Sequence, residues 1–271
     1  MRTTPPRWGL AWSAVIALLV VFTSVTGLTD PRVYAEETQN WTMQAQGQDV
    51  GNLLAVVVLL VAAVAMNRGS ARAGLVWLGT LLYLVYAFIV YAMAVHLNYL
   101  FLVYVAVLGL SAWLLIFHLN HWRRQGLRFP SGRARTVAAW VIIVIGVLFA
   151  GLWLSELVPA LVTGTPPASL ADAGLWVNPI HAIDLSMVLP GFVLAGVASL
   201  RSRNNGLFWL APWLVFSALM GSSIVAAMVL ISNSGAASTV PAMAMVTLVV
   251  VASLLAVWGY LKRTTPARLH H

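Results

Sequence analysis

Two ionisable side chains stand three residues apart in the stretch NPIHAIDLSMVLPG (178–191): His181 and Asp184. On a helix that spacing puts an imidazole and a carboxylate on one face. Such a pair can fix a histidine tautomer, hold a proton or bind a cation. Similar groups recur elsewhere beside apolar runs: Gln48 and Asp49, Tyr91 and His96 around a short turn, and Glu156. Ionisable groups at the edge of a membrane are costly and usually face a cavity or a partner. Asp49, His181, Asp184, His96, Gln48, Tyr91 and Glu156 therefore form the expected ligand-binding set.

Competing readings exist for each member. A metal site would draw its nitrogen and oxygen ligands from His96, His181 and Asp184, yet no H-E-x-x-H or H-x-x-E-H spacing accompanies them. Asp49 and Asp184 each stand at the expected start of a helix, where a carboxylate can cap free N–H groups and meet the positive end of the helix dipole. His96 also reads as an ordinary interfacial loop histidine. His118 and His121, beside Arg123 and Arg124, read as a cluster facing lipid headgroups.

The elements that must position these groups are plain from composition. The chain is 61% hydrophobic and only 8% charged, with a mean hydropathy of +0.90; soluble domains carry roughly 25% charged residues. Eight apolar stretches have the length of membrane spans: 10–28, 51–66, 75–95, 99–119, 137–157, 180–200, 207–232 and 240–261. The expected fold class is an all-α polytopic membrane protein. Pro190 and Pro212 interrupt the sixth and seventh spans, and such kinks are tolerated in membranes. Trp8, Trp12, Trp41, Trp113, Trp122, Trp140, Trp153, Trp176 and Trp258 fall mostly near span ends, as interfacial anchors do.

The net charge of +8 is a statement about topology. Of fifteen Lys and Arg residues, all but Arg32 fall in one set of alternate loops and tails, and all seven acids fall on the opposite side. By the positive-inside rule both termini are cytoplasmic and the acidic side is external. The basic loops would meet anionic lipid of the bilayer, with no nucleic acid as partner. The expected location is a bacterial cytoplasmic membrane.

The chain also repeats itself. R-x-x-x-A-W occurs at 7–12 and 135–140, and G-L-x-W-L at 74–78 and 206–210. Asp49 and Asp184 are each followed nineteen residues later by an arginine, Arg68 and Arg203. The ordered offsets of 128 to 135 residues predict two four-helix repeats, 1–128 and 129–271, related as parallel repeats by an axis along the membrane normal.

Several chemistries are excluded. There is no cysteine, hence no disulfide, thiolate ligand or iron–sulfur site. The only lysine, Lys262, ends the last span, which rules out a retinal Schiff base within the bundle. No G-x-x-x-x-G-K-[ST] or G-x-S-x-G motif is present. The leading functional expectation is transport or binding of a small ligand, cation or proton at an external polar site. The alternatives are an accessory, assembly or sensor subunit with a membrane-protein partner or a second copy, and a membrane enzyme or cofactor binder using His96, His181 and Asp184. The residues specify neither a catalytic group nor a particular cofactor.

Overall fold

The computed structural model describes residues 8–124, 126–235 and 239–266. Among them, eight helices are long and apolar enough to cross a membrane: α1 (Trp8–Thr29), α2 (Gln39–Asn67), α3 (Ala71–Ala94), α4 (Phe101–Arg124), α5 (Arg133–Thr163), α6 (Pro179–Leu200), α7 (Asn204–Asn233) and α8 (Val240–Leu261). The chain is a multi-pass membrane protein. Arg2, Arg7 and Arg268, and the side chains of Trp122, Arg123 and Arg124, lie outside the described residues.

Each helix starts and stops for a local reason. Thr38 caps α2, its Oγ1 accepting from Trp41 N–H at 3.2 Å, and Ser70 caps α3 in the same way. Asn178 caps α6 through Ile180 N–H at 2.9 Å, with Pro179 in the first turn, where a missing N–H costs nothing. Gly164 ends α5 in the left-handed conformation that L residues disfavour.

These caps revise two expectations. The second helix begins at Gln39 rather than near residue 51, so Asp49 lies ten residues inside it and caps nothing. Asp184 likewise follows five helical residues and is not the cap of α6. The polar stretch QNWTMQAQGQD continues the helix because its buried side chains find partners on α3 and α7.

Helix α6 is irregular where Asp184 sits. Residues Asp184–Val188 form a π-turn, in which Leu189 N–H donates to Asp184 O, five residues back. Pro190 follows directly and has no N–H to give; the wider turn accommodates its ring without a clash against the preceding turn.

Within the bundle α1 packs on α2 and α4, and α3 on α2 and α4, closing the first four helices into a ring. Helices α5 to α8 close in the same order. The rings meet where α2 and α3 lie against α7. At the α2–α7 crossing, Gly47 and Gly51 face Ala227 and Ser223 so closely that an added Cβ would stand 2.3 Å from either partner. Small residues four apart permit this approach. Large exposed apolar side chains such as Leu18, Leu102, Leu161 and Leu248 cover the outer helices and face the bilayer.

At one end the connections between α1 and α2 and between α5 and α6 carry the acids Asp30, Glu36, Glu37 and Asp172, while the loops at the opposite end are basic. Arg32, the cation on the acidic side, is matched by Asp30 at 2.7 Å. At the basic end a two-residue strand β1 (Leu127–Arg128) pairs antiparallel with β2 (Thr265–Pro266), and Arg72 Nε donates to Thr264 O at 2.6 Å.

Candidate functional site

The carboxylate of Asp49 is enclosed, with 1% of the residue exposed. Tyr34 O–H donates to Oδ2 at 2.7 Å and Tyr91 O–H to Oδ1 at 2.8 Å. Tyr34 comes from the short 3-10 turn Pro31–Tyr34, which Asp30 caps and which folds back beneath α1. Burial first, then the neighbouring Asp49 carboxylate, pushes the Tyr34 hydroxyl above its ordinary value, so it remains a donor. A side chain at Gly27 would collide with Asp49, its Cβ falling 2.4 Å from Oδ2; only glycine lets α1 pass here.

The network extends from Asp49 across the bundle. Asn52, fully buried, reaches Ser24 on α1 and Tyr91 on α3 at 3.4 and 3.5 Å. Tyr83 O–H donates to Asn52 Oδ1 at 3.1 Å and accepts from Gln48 Nε2 at 2.6 Å. Ser223 of α7 donates to Gln48 Oε1 at 3.3 Å. Polar groups of α1, α2, α3 and α7 thus satisfy one another, which an interior without water requires.

Beside this network lies a cavity of about 510 Å³ between α2, α3, α5, α6, α7 and α8. Its walls are mainly aliphatic and aromatic, with Gln48, Asp184 and Ser223 among its few polar residues. Asp184 accepts from Trp153 Nε1–H at 2.8 Å, and Tyr86 of α3 approaches the same carboxylate. Trp153 also packs against His181, ring centroids 4.6 Å apart, so one indole touches both the imidazole and the carboxylate of α6. Gln48 and Tyr91 line the cavity; Asp49, one residue and about 100° further round α2, faces the tyrosine pair instead.

The seven expected site residues therefore divide. Gln48, Tyr91 and Asp184 share the cavity wall; Asp49 joins it through the Tyr91 hydroxyl. His181 is buried beside Trp153. His96 turns to Glu37, its backbone N–H donating at 2.6 Å and its ring Nδ1 lying 3.1 Å from the carboxylate. Glu156 accepts a hydrogen bond from Ser169. Among the described residues no three His, Asp or Glu side chains converge as metal ligands, so His96, His181 and Asp184 are not drawn together.

Other assignments change in three dimensions. His118 does not face headgroups: it is buried between Trp8 and Trp77, with Nδ1 against Leu114 O at 3.0 Å. Trp41 is not a surface anchor but is buried, donating to Ala94 O at 2.6 Å. Trp153 serves Asp184. Tyr34 and the Gly47/Gly51 pair were not among the expected residues. The Gly-x-x-x-Gly spacing was a legible signal for the second; nothing local announces the first. No family model, curated protein or solved structure matches the chain.

Proposed function

We propose that this chain binds a small, mainly apolar ligand with a polar head, as the binding step of a membrane carrier or receptor. Asp184 and Gln48 would meet the polar head, with Tyr91 in the wall and Asp49 behind it. His181 and Trp153 would hold the Asp184 carboxylate in place. The observation that carries this reading is the cavity itself. Its volume of about 510 Å³ is of ligand size, and its apolar wall is interrupted by a few convergent polar groups.

The same reading takes the two halves, 1–128 and 129–271, as parallel-related repeats with the cavity built mainly from the second. The matching ring order of α1–α4 and α5–α8 supports it, as do the repeated sequence landmarks. Orientation follows from charge: both termini cytoplasmic, and the cavity towards the external side of a bacterial membrane.

The test is mass spectrometry of compounds that copurify with the full chain in lipid nanodiscs. The unaltered protein is expected to carry a small molecule that Ile224→Trp, which fills the cavity, removes. Leu148→Trp, on the exposed outer side of α5 and not part of the wall, should retain it. Identical compound profiles in all three proteins would refute the reading.

A further inference from the structure

Among the residues lining the cavity there is one carboxylate, Asp184, and no Lys, Arg or His. Asp184 is buried; Trp153 Nε1–H donates to it at 2.8 Å and Tyr86 approaches it from α3. Asp49 differs in place: it is held by two tyrosine hydroxyls and shut away from the cavity, whereas Asp184 stands in the cavity wall. A carboxylate in a low-dielectric wall without a positive partner is costly. A cation placed in the cavity removes that cost.

The rest of the wall suits such a cation. Tyr86, Trp153, Phe149, Phe192 and Phe216 all border the space. Tyr86 and Phe192 each meet Phe216 edge to face, at 5.4 and 5.9 Å between centroids. Aromatic faces attract organic cations, most strongly where water is absent. An inorganic ion would find one carboxylate here; other side-chain oxygens of the wall, such as those of Gln48, Tyr91, Ser217 and Thr239, stand on different elements and are engaged by other side chains, whereas hard cations take six or more convergent oxygen ligands. The wall therefore fits an organic cation with a large apolar body.

Access is from the side. Leu152 on α5 and Met245 on α8 both line the cavity and are 47% and 48% exposed on the flank of the bundle. Ala242, one turn before Met245, lines it too and is exposed. Residues of α5 and α8 thus carry the cavity wall through to the exposed flank of the bundle.

We propose that the cavity takes a lipophilic organic cation, which enters from the bilayer between α5 and α8 and pairs with Asp184. This rests on the ligand-binding reading above and adds charge and route to it. The experiment is equilibrium binding to the full chain in nanodiscs of tetraphenylphosphonium and of tetraphenylborate, its near-isosteric anion, with a neutral amphiphile, N-phenyl-1-naphthylamine, as the third probe. Tetraphenylphosphonium should bind saturably, and the anion should not. Asp184→Asn should weaken the cation by at least about tenfold, as expected when one member of a buried charged pair is neutralised. Asp172→Asn, an equal charge change on the exposed short helix Ala168–Ala173, should not. Ala242→Trp should slow cation uptake more than it weakens equilibrium binding.

The comparison of cation with anion needs no variant, so a poorly folding Asp184→Asn protein leaves the test intact. Equal saturable binding of all three probes would overturn the cationic preference and leave the cavity reading standing. No saturable binding of any probe, with no copurifying compound, would overturn both.

Discussion

The α2–α7 crossing gives the sharpest quantitative test of this architecture. A Cβ added at Gly47 would lie 2.3 Å from both the backbone N and Cα of Ala227 and 2.4 Å from its Cβ. Carbon atoms in contact sit about 3.5–4.0 Å apart, so Gly47→Ala must drive the two helices apart by roughly 1 Å. Overpacking of this kind costs about 1–3 kcal/mol, while the better helix propensity of alanine returns at most about 1 kcal/mol. The net expectation is a loss of about 1–2 kcal/mol, or a thermal midpoint lower by roughly 2–8 °C for a chain of this size. The assay is thermal unfolding in detergent, followed by tryptophan fluorescence. Gly109→Ala on α4 is the control, because nothing lies within 4 Å of its added Cβ; its midpoint should hold or rise. Because the obstruction includes main-chain atoms, Ala227→Gly should not restore Gly47→Ala. An unchanged midpoint for Gly47→Ala, or full rescue by Ala227→Gly, would refute the close backbone crossing.

Three further outcomes follow from the polar groups. Tyr34→Phe leaves a buried carboxylate short of one donor and should cost about 1–3 kcal/mol, whereas Tyr99→Phe, whose hydroxyl meets Asp30 at the exposed acidic end, should leave the thermal midpoint close to that of the unaltered chain, because water replaces an exposed partner; thermal unfolding of the two variants decides. Hydrogen bonds from Arg32, then Tyr99, hold the Asp30 carboxyl well below the usual carboxylate range. A depressed carboxyl lends its stability above the unfolded value and loses it only as pH falls through the folded one. Hydrogen exchange of residues 30–38 should therefore be unaffected by Asp30 protonation from pH 7 to about 4, and Asp30→Asn should raise exchange across that whole range. Finally, deleting Met187, an exposed residue of the π-turn, should leave an α-helix bent at Pro190 with Asp184 still facing the cavity. Deleting Leu194 in the following α-helical segment rotates everything before it by about 100° and should abolish folding; expression and gel filtration separate the two.

Much of the fold was legible because a membrane span announces itself by apolar length. All eight spans stand in the structure, and Arg32, the exception to the charge pattern, is matched by Asp30. The start of α2 was not legible, because Gln48 and its polar neighbours look like loop residues until Tyr83 and Ser223 of other helices stand opposite Gln48. The grouping of Gln48, Tyr91 and Asp184 was expected from their common end. The expected convergence of Asp49 with Asp184 took a different form, with Gln48 on the cavity and Asp49 behind it. Which of two adjacent residues faces a cavity depends on helix rotation, and residues 48 and 49 differ by about 100° there. Tyr34 was invisible for a related reason: a turn must fold back beneath α1 before its hydroxyl has any bearing on Asp49.

The two aspartates show why one half of the bundle is sealed and the other open. Asp49 is closed in by the turn Pro31–Tyr34, only a few residues long, whose tyrosine reaches it past the bare backbone of Gly27. The connection before α6 runs from Gly164 to Asn178 and folds into the short helix Ala168–Ala173. Its Trp176 is 98% exposed and covers nothing. Under the proposed repeat, at the offset of 132 residues that relates Gly74 to Gly206, Tyr91 corresponds to Ser223, which replaces a ring by a hydroxymethyl group on the cavity wall. The second half thus lacks both side chains that shut the first, and it keeps the carboxylate. A chain selected only for packing would have no use for that difference, since filling the space with apolar side chains of similar volume is at least as stable as leaving a buried charge beside a void. The retained carboxylate beside open space is therefore the feature that argues most directly for a ligand.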